Sequence, residues 1–190
     1  MQEIEIEFKN LLTKEEYEQL LTAFQLKREG AKKQVNYYFE TDNFHLKERG
    51  SALRIREKNN KYVVTLKQPH EDGLLETHAE ISMEECKEAL KSANWKIPNT
   101  IAIQLQRLNV PIEQLRFRGA LTTYRLETDW KNCLLVLDYS MYHNTEDYEL
   151  ELETSEFQYG KDVFHQLLNE HQIVKRETRN KIERFFLAMP

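Results

Sequence analysis

The stretch MQEIEIEFKN, residues 1–10, alternates with a strict period of two: Glu3, Glu5, Glu7 and Lys9 interleave with Ile4, Ile6 and Phe8. Side chains of a β-strand point to opposite faces in turn, so this is a strand with one apolar and one charged face. Two situations produce such a strand. The charged face is bathed in water at the outside of an antiparallel sheet, or it is enclosed and charged for a purpose. The other strands decide between them.

The same period of two recurs along the chain. In "SALRIREK" Arg54 and Arg56 lie opposite Leu53 and Ile55, and in "KYVVTLKQP" Lys67 shares a face with Val63 and Thr65. In "GLLETHAEIS" the polar face is Glu76, His78 and Glu80. In "FRGALTTYRLETDW" one face carries Leu121, Thr123, Arg125 and Glu127, and in "NCLLVLDYSMYH" Asp138 accompanies Leu134 and Val136. "DYELELETS" presents Asp147, Glu149, Glu151 and Glu153 on one face. A solvated sheet usually mixes Thr, Ser, Gln and both signs of charge. Here single strands are dominated by one sign. Two carboxylates two positions apart on a strand are about 7 Å apart. Their repulsion is roughly 0.6 kcal/mol in water and about 2 kcal/mol at an effective dielectric near 20. An enclosed acidic face therefore calls for cations, and an enclosed face of Arg54, Arg56, Lys67 and Arg125 calls for a polyanion. A barrel whose lumen is charged and whose apolar face packs outward meets both demands, with a divalent metal bridging carboxylates to phosphates.

The remaining segments fit that architecture. "LTKEEYEQLLTAF" reads as a helix opened by a Thr13/Glu16 capping box, with Tyr17, Leu20, Leu21 and Phe24 as its apolar stripe. A strand is expected around Val35–Phe39, a turn near Thr41–Asn43 and a hairpin at Asn59-Asn60. Ser82 and Glu85 cap a helix running to about Ala93; "NTIAIQLQRLN" and "IEQL" look helical, interrupted by Pro111. "KDVFHQLLNEHQI" and "TRNKIERFFLAM" read as two closing helices. No Pro-, Gly- or Ser-rich linker divides the chain, so residues 1–190 are expected to form one domain. The fold class is α+β, an eight-stranded antiparallel β-barrel with helices packed outside.

Composition narrows the chemistry. With 190 residues, 40% of them hydrophobic and 31% charged, the chain is globular and polar. It has no apolar run of membrane-spanning length, and its acidic first residues are unlike a signal peptide. Cys86 and Cys133 are far apart and outside any CxxC spacing, which predicts free thiols in a reducing cytoplasm. The net charge of −5 argues against a general nucleic-acid binder. Gly30, Gly50, Gly73, Gly119 and Gly160 are all isolated, and neither GxxxxGK[ST] nor GxGxxG occurs. A bound phosphate must therefore be held by side chains. Glu3, Glu80, Glu127 and Glu149 read more readily as rim charges than as ligands. His78 has no partner at a metal-ligand spacing and reads as a solvated or hydrogen-bonded histidine.

The pattern resembles the CYTH superfamily, the triphosphate tunnel metalloenzymes. "EIEFK" (Glu5, Glu7, Lys9) is similar to its N-terminal ExExK motif, and "LRIR", "VTLK", "ETHAE", "TTYRLE", "VLD", "YELELE" and "RNKIERF" follow in the family's order. In size the chain resembles the small single-domain bacterial members. The resemblance implies an eight-stranded tunnel, Mg2+ or Mn2+, and a small-molecule substrate bearing a linear triphosphate. It implies Glu5, Glu7, Glu151 and Glu153 as metal carboxylates, and Lys9, Arg54, Arg56, Lys67, Arg125 and Lys181 as the triphosphate cradle. Glu5, Glu7 and Lys9 form its catalytic motif. Glu76 and Asp138 resemble supporting acidic positions; Glu149 with Glu151 is the other register of the late motif, and Arg118 is a substitute or neighbour for Arg125. The implied activity is hydrolysis of inorganic triphosphate, thiamine triphosphate or a nucleoside triphosphate. The alternatives are a class IV-type adenylyl cyclase making cyclic AMP from ATP, and a non-catalytic polyphosphate- or nucleotide-binding module. Phosphoryl transfer needs positioning and charge neutralisation more than a covalent nucleophile, which suits these residue types. Monomer and homodimer are equally compatible with the sequence.

Overall fold

Alternation and capping chemistry account for most elements of the computed structural model, which describes residues 1–71, 73–92 and 95–189. The N-terminal stretch forms β1 (Gln2–Leu12). Helix α1 (Lys14–Ala23) opens with the expected capping box: the Glu16 N–H donates to the Thr13 hydroxyl, and the Thr13 N–H donates to the Glu16 carboxylate at 2.7 Å. There follow β2 (Lys32–Glu40), α2 (His45–Glu48), β3 (Ala52–Lys58), β4 (Lys61–His70) and β5 (Gly73–Ile81). Next come α3 (Met83–Lys91), α4 (Asn99–Arg107), β6 (Arg116–Trp130), β7 (Cys133–Tyr142) and β8 (Thr145–Thr154). Helices α5 (Phe157–Glu170) and α6 (Lys181–Leu187) close the chain. The hairpin residues Asn59 and Asn60 have φ of 53° and 59°, and Lys131 and Asn132 have 51° and 53°. Two left-handed central residues are what a two-residue hairpin turn needs to match strand twist.

The departures from expectation have local causes. Strand β2 begins at Lys32 rather than Val35. After the expected turn at Thr41–Asn43 comes an unforeseen short helix, α2. It is nucleated by the buried Glu40 carboxylate, which accepts from the N–H groups of Leu46 at 3.1 Å and Lys47 at 2.9 Å. No capping pattern at i, i+3 announces a cap that reaches back six residues. "IEQL" forms only a single 3-10 turn, Ile112–Gln114, between Pro111 and the start of β6. Helix α5 starts at Phe157, four residues before Lys161, and so includes Gly160, a residue whose low helix propensity hides the first turn in the sequence. The expected end of α3 at Ala93 lies outside the described residues.

The strands close into an antiparallel barrel in the order β1-β5-β4-β3-β2-β6-β7-β8, with the helices outside. By their contacts the residues fall into two compact units: Met1–Ile4 with Gln34–Leu121, and Glu5–Lys33 with Thr122 onward. In the first, Cys86 and Ala89 of α3, Ile101 and Leu105 of α4 and Leu46 of α2 pack on Phe39, Leu53, Ile55, Val64 and Leu66. In the second, Tyr17, Leu20 and Leu21 of α1 and Val163, Phe164, Leu167 and Leu168 of α5 cover Leu135, Leu137, Leu150 and Leu152. Each Leu, Ile, Val or Phe side chain buried in this way stabilises by about 1.5–3 kcal/mol. These are the apolar faces of the strands, and the charged faces are on the opposite, inward side. Among the described residues no helix is long and apolar enough to cross a membrane.

Helix α5 owes its close seat to Gly160. A Cβ there would meet Thr154 Cγ2 at 2.4 Å and Phe8 Cε2 at 2.9 Å. Gly160→Ala is expected to destabilise the fold by about 1–3 kcal/mol through overpacking. That corresponds to roughly 2–4 °C in Tm for each kcal/mol in a chain of this size. A circular-dichroism melt at the wild-type Tm would contradict the packing described.

Candidate active site

In the unit containing β7 and β8 the ladder fixes which charges share the inward face. Glu7 stands opposite Glu153 and Lys9 opposite Glu151 across β1–β8. Arg125 stands opposite Asp138 across β6–β7, and Asp138 opposite Glu149 across β7–β8. The Arg125 guanidinium grips Asp138 with Nε to Oδ1 at 2.8 Å and Nη2 to Oδ2 at 2.7 Å, and reaches Glu151 at 2.6 Å. Its Nη1 lies 3.7 Å from Glu153. Lys9 pairs with Glu7 and donates to Asn180 Oδ1 at 2.9 Å.

Helix α6 brings two further cations to this face. Lys181 contacts Asp138 and lies 3.2 Å from Glu149 and 3.1 Å from Glu151. Arg184 donates to Asp147 at 2.9 Å and contacts Glu149. The segment before α6 is tied down by Asn10, which sits among the apolar residues of β1 and is fully buried. Its carboxamide accepts from the Arg176 N–H at 2.7 Å and donates to the Val174 carbonyl at 3.0 Å. The Leu11 N–H donates to Thr178 at 2.9 Å, and Arg176 pairs with Glu16 at 2.7 Å.

Charge on this face is unevenly compensated. Burial pushes the carboxyls of Asp138 and Glu151 up, but Arg125 and Lys181 more than reverse it, and both lie below the usual carboxylate range. Burial pushes Glu149 up to about 7, with Glu151 beside it, despite Lys181 and Arg184. Glu153 is also pushed up to about 7, first by burial and then by the nearby carboxylates Glu5, Glu151 and Glu7, against the pull of Arg125. Glu5, Glu7, Asp138, Asp147, Glu149, Glu151 and Glu153 outnumber Lys9, Arg125, Lys181 and Arg184.

The unit containing β3, β4 and β5 has the opposite balance. Glu76, 5% exposed, faces Lys67 across β4–β5, with the Lys67 ammonium at 3.3 Å and Arg54 at 3.8 Å. Burial raises its carboxyl, and Arg54, Lys67, His78 and Arg56 together bring it below the usual range. Arg56 receives support from Asn36 Oδ1, which accepts from its Nε at 3.3 Å. Cations crowd around this buried carboxylate.

Among the described residues, donor atoms of Glu3, Glu76 and His78 lie within 4.8 Å of one another, as do those of Asp138, Glu149 and Glu151. Both sets are attended by cations already, Lys67 and Arg54 in one and Arg125 and Lys181 in the other. The set implied by sequence, Glu5, Glu7, Glu151 and Glu153, lies along β1 and β8 and shares only Glu151 with these. The structure brings together Arg125, Asp138, Glu151 and Lys181, and separately Arg54, Lys67 and Glu76. Arg118 instead holds a turn, where its Nε donates to the Glu40 carbonyl at 3.1 Å and its Nη2 pairs with Asp42. Arg184 and the Thr65–His78 contact were not foreseen. Arg184 was legible in "RNKIERF", since it follows Lys181 by three residues and so shares its helix face.

Comparison with known proteins places this geometry. The CYTH domain model matches residues 3–186. A Bacillus subtilis protein named "Putative triphosphatase YjbK" is 45% identical over 186 residues, covering 97% of this chain and 95% of that protein. A Bacillus halodurans structure described as a "putative adenylate cyclase" is 43% identical, with a TM-score of 0.93 over 97% of this chain and 98% of that one. HpAC1 from Hippeastrum shares the fold at 24% identity, with a TM-score of 0.79 over 97% and 96% of the two chains. The chain belongs to the CYTH family.

The raised carboxyls set a pH dependence for the metal-free protein. Glu149 and Glu153 have folded values near 7 against an ordinary 4.5. Their contribution to stability is therefore fully present below about pH 4.5 and lost as pH rises through 7. Glu153→Gln, measured in chelator at pH 8, should stabilise by on the order of 1 kcal/mol, or about 2–4 °C. At pH 5 the gain should vanish for Glu153→Gln. A loss of Tm at pH 8 would contradict the crowding of carboxylates.

Proposed function

We propose that this protein is a metal-dependent triphosphatase acting on inorganic triphosphate, thiamine triphosphate or a nucleoside triphosphate. The observation that carries the reading is the sorting of charge on the inward strand faces. One unit has carboxylates in excess and the other has cations in excess. A divalent cation answers the first imbalance and a triphosphate the second. Membership of the CYTH family and the name of the Bacillus subtilis relative support the same reading. We read residues 3–186, the span of the family model, as one functional domain.

The residues fit a hard divalent cation. Glu7 and Glu153 are like charges directly opposite across a ladder, an arrangement that favours cations beside them, as Lys9 and Arg125 already are. Carboxylate oxygens are the ligands that Mg2+ and Mn2+ prefer. Glu5, Glu7, Glu151 and Glu153 would hold the ion. The alternative register replaces Glu153 with Glu149, which is wholly buried and contacts Lys181 and Arg184, whereas Glu153 is the more open of the two. When bound, the cation would neutralise phosphoryl charge and lower the pKa of an attacking water. Lys9, Arg54, Arg56, Lys67, Arg125 and Lys181 bind phosphoryl oxygens, and the planar guanidinium groups favour paired hydrogen bonds to them. Asp138 and Glu76 hold cations in place. We assign Arg118 no part. The buried free thiols Cys86 and Cys133 accord with a reducing compartment.

A second reading, adenylyl cyclase, is raised by the description of the Bacillus halodurans relative. It differs in product. A cyclase must also orient a ribose 3′ hydroxyl in line, whereas water needs only activation. Incubation with a panel of triphosphates and Mg2+ or Mn2+ is expected to release orthophosphate. Cyclic AMP and pyrophosphate formed from ATP faster than orthophosphate from inorganic triphosphate would establish the cyclase instead.

Two sets of variants test the residue roles. Glu5→Gln or Glu7→Gln should abolish turnover while the circular-dichroism spectrum is retained. Arg54→Ala and Lys67→Ala should lower kcat/KM by on the order of 10²-fold, by a similar factor for every triphosphate tested, since they touch the shared part of the substrate. Losses confined to one substrate would contradict the assignment.

A further inference from the structure

The basic unit contains a relay that the chemistry above leaves unassigned. His78 Nδ1 lies 3.0 Å from Thr65 Oγ1. Its Nε2 lies 3.3 Å from Glu76 Oε2 and 3.0 Å from Glu3 Oε1. The backbone at this position is fixed, because the His78 N–H donates to the Met1 carbonyl at 2.9 Å and the Met1 ammonium to the His78 carbonyl at 3.1 Å. Thr65 stands opposite Arg54 on one side and His78 on the other, while Lys67 stands opposite Glu76. The cations and the relay thus occupy adjacent rungs of one sheet.

The hydrogen-bonding roles follow from the partners. Ionised carboxylates only accept, so Nε2 must carry the ring proton that faces them. In the neutral ring Nδ1 then accepts, and the Thr65 hydroxyl supplies the proton. Thr65 therefore selects the tautomer whose Nε2–H donates to Glu3 Oε1 at 3.0 Å and faces Glu76 Oε2 at 3.3 Å. That contact takes Glu76 Oε2 and leaves Oε1 toward Lys67 and Arg54. Oε1 makes no hydrogen bond and is buried, so it acts on the two cations by charge and position alone. Long cationic side chains lose much rotamer freedom when ordered. A fixed anion beside them meets part of that cost before substrate arrives.

We propose that His78 is a positioning residue for the phosphate-binding cations: held in one tautomer by Thr65, it fixes the Glu76 carboxylate that orients Lys67 and Arg54. This rests on the reading of Lys67 and Arg54 as phosphate ligands. His78 touches no reacting atom. Its effect falls on ground-state binding, which appears in KM, rather than on the chemical step.

The test compares His78→Phe, His78→Gln, Thr65→Val and Lys67→Ala in the full-length protein, with kcat and KM for inorganic triphosphate and a thermal melt for each. A hydrogen bond to a charged group is worth about a tenfold change in binding, so His78→Phe should raise KM by about tenfold with kcat changed by less than about threefold. His78→Gln, which keeps a donor toward Glu76, should bring KM back to within about threefold of wild type. Thr65→Val, close in shape to Thr and lacking only the hydroxyl, should raise KM by about threefold and serves as the readout should His78→Phe fail to fold. Wild-type KM in Thr65→Val and either wild-type KM or a fall confined to kcat in His78→Phe would overturn the proposal while leaving the triphosphatase reading intact. So would a KM in His78→Gln as high as in His78→Phe. Unimpaired Lys67→Ala would overturn the reading on which the proposal rests.

Discussion

Carboxylates buried on the inward face of β8 are the constraint on which the rest of the structure depends. Glu149 is wholly buried and Glu151 is 6% exposed, two positions apart on one strand, with Asp138 opposite Glu149 and also wholly buried. Unpaired buried charges cost several kcal/mol each, so a fold that carries three together must bring cations to them. Arg125 comes from the neighbouring ladder and Lys181 and Arg184 from the end of the chain. This explains why a short terminal helix is pinned so thoroughly by Asn10, Thr178 and Arg176. Losing α6 would leave the carboxylates of β8 exposed to one another.

Carboxylates are also crowded at the β1 side of the same face, where Lys9 pairs with Glu7 and Arg125 lies 3.7 Å from Glu153. Glu7 faces Glu153, and Glu153 is driven toward protonation by burial and by its neighbours Glu5, Glu151 and Glu7. A protein that needed only stability would place an uncharged residue at one of these positions. Crowded carboxylates of this kind are what a bound divalent cation would use. In the other unit the imbalance has the opposite sign, with Glu76 acting as a resident anion among Arg54, Arg56 and Lys67.

Much of this was legible in the amino-acid sequence, for a physical reason. The period of two assigns each side chain of a strand to a face without knowledge of the partner strand. The acidic faces of β1 and β8 and the basic face of β3 could therefore be read residue by residue, and the capping boxes at Thr13 and Ser82 marked their helices. Partnership is different. Lys181 meets Glu151 thirty residues away in sequence and Glu149 at thirty-two, and no local pattern encodes such a pairing. For the same reason Arg118 and Arg125 looked interchangeable, though one holds a turn and the other grips Asp138 and Glu151. The Thr65–His78–Glu76 relay joins adjacent strands through ring geometry that spacing alone does not show.

The central claim is that the crowded carboxylates of β1 and β8 are a metal site for the cation that accompanies a triphosphate. A crystal structure of the protein grown with Mn2+ and a non-hydrolysable triphosphate analogue, with anomalous scattering recorded at the manganese edge, tests it most directly. The account predicts an anomalous peak in contact with carboxylate oxygens of Glu5, Glu7, Glu151 or Glu153, with phosphoryl oxygens completing the coordination. Manganese bound only at carboxylates outside this set, with the analogue absent from the inward face, would contradict it.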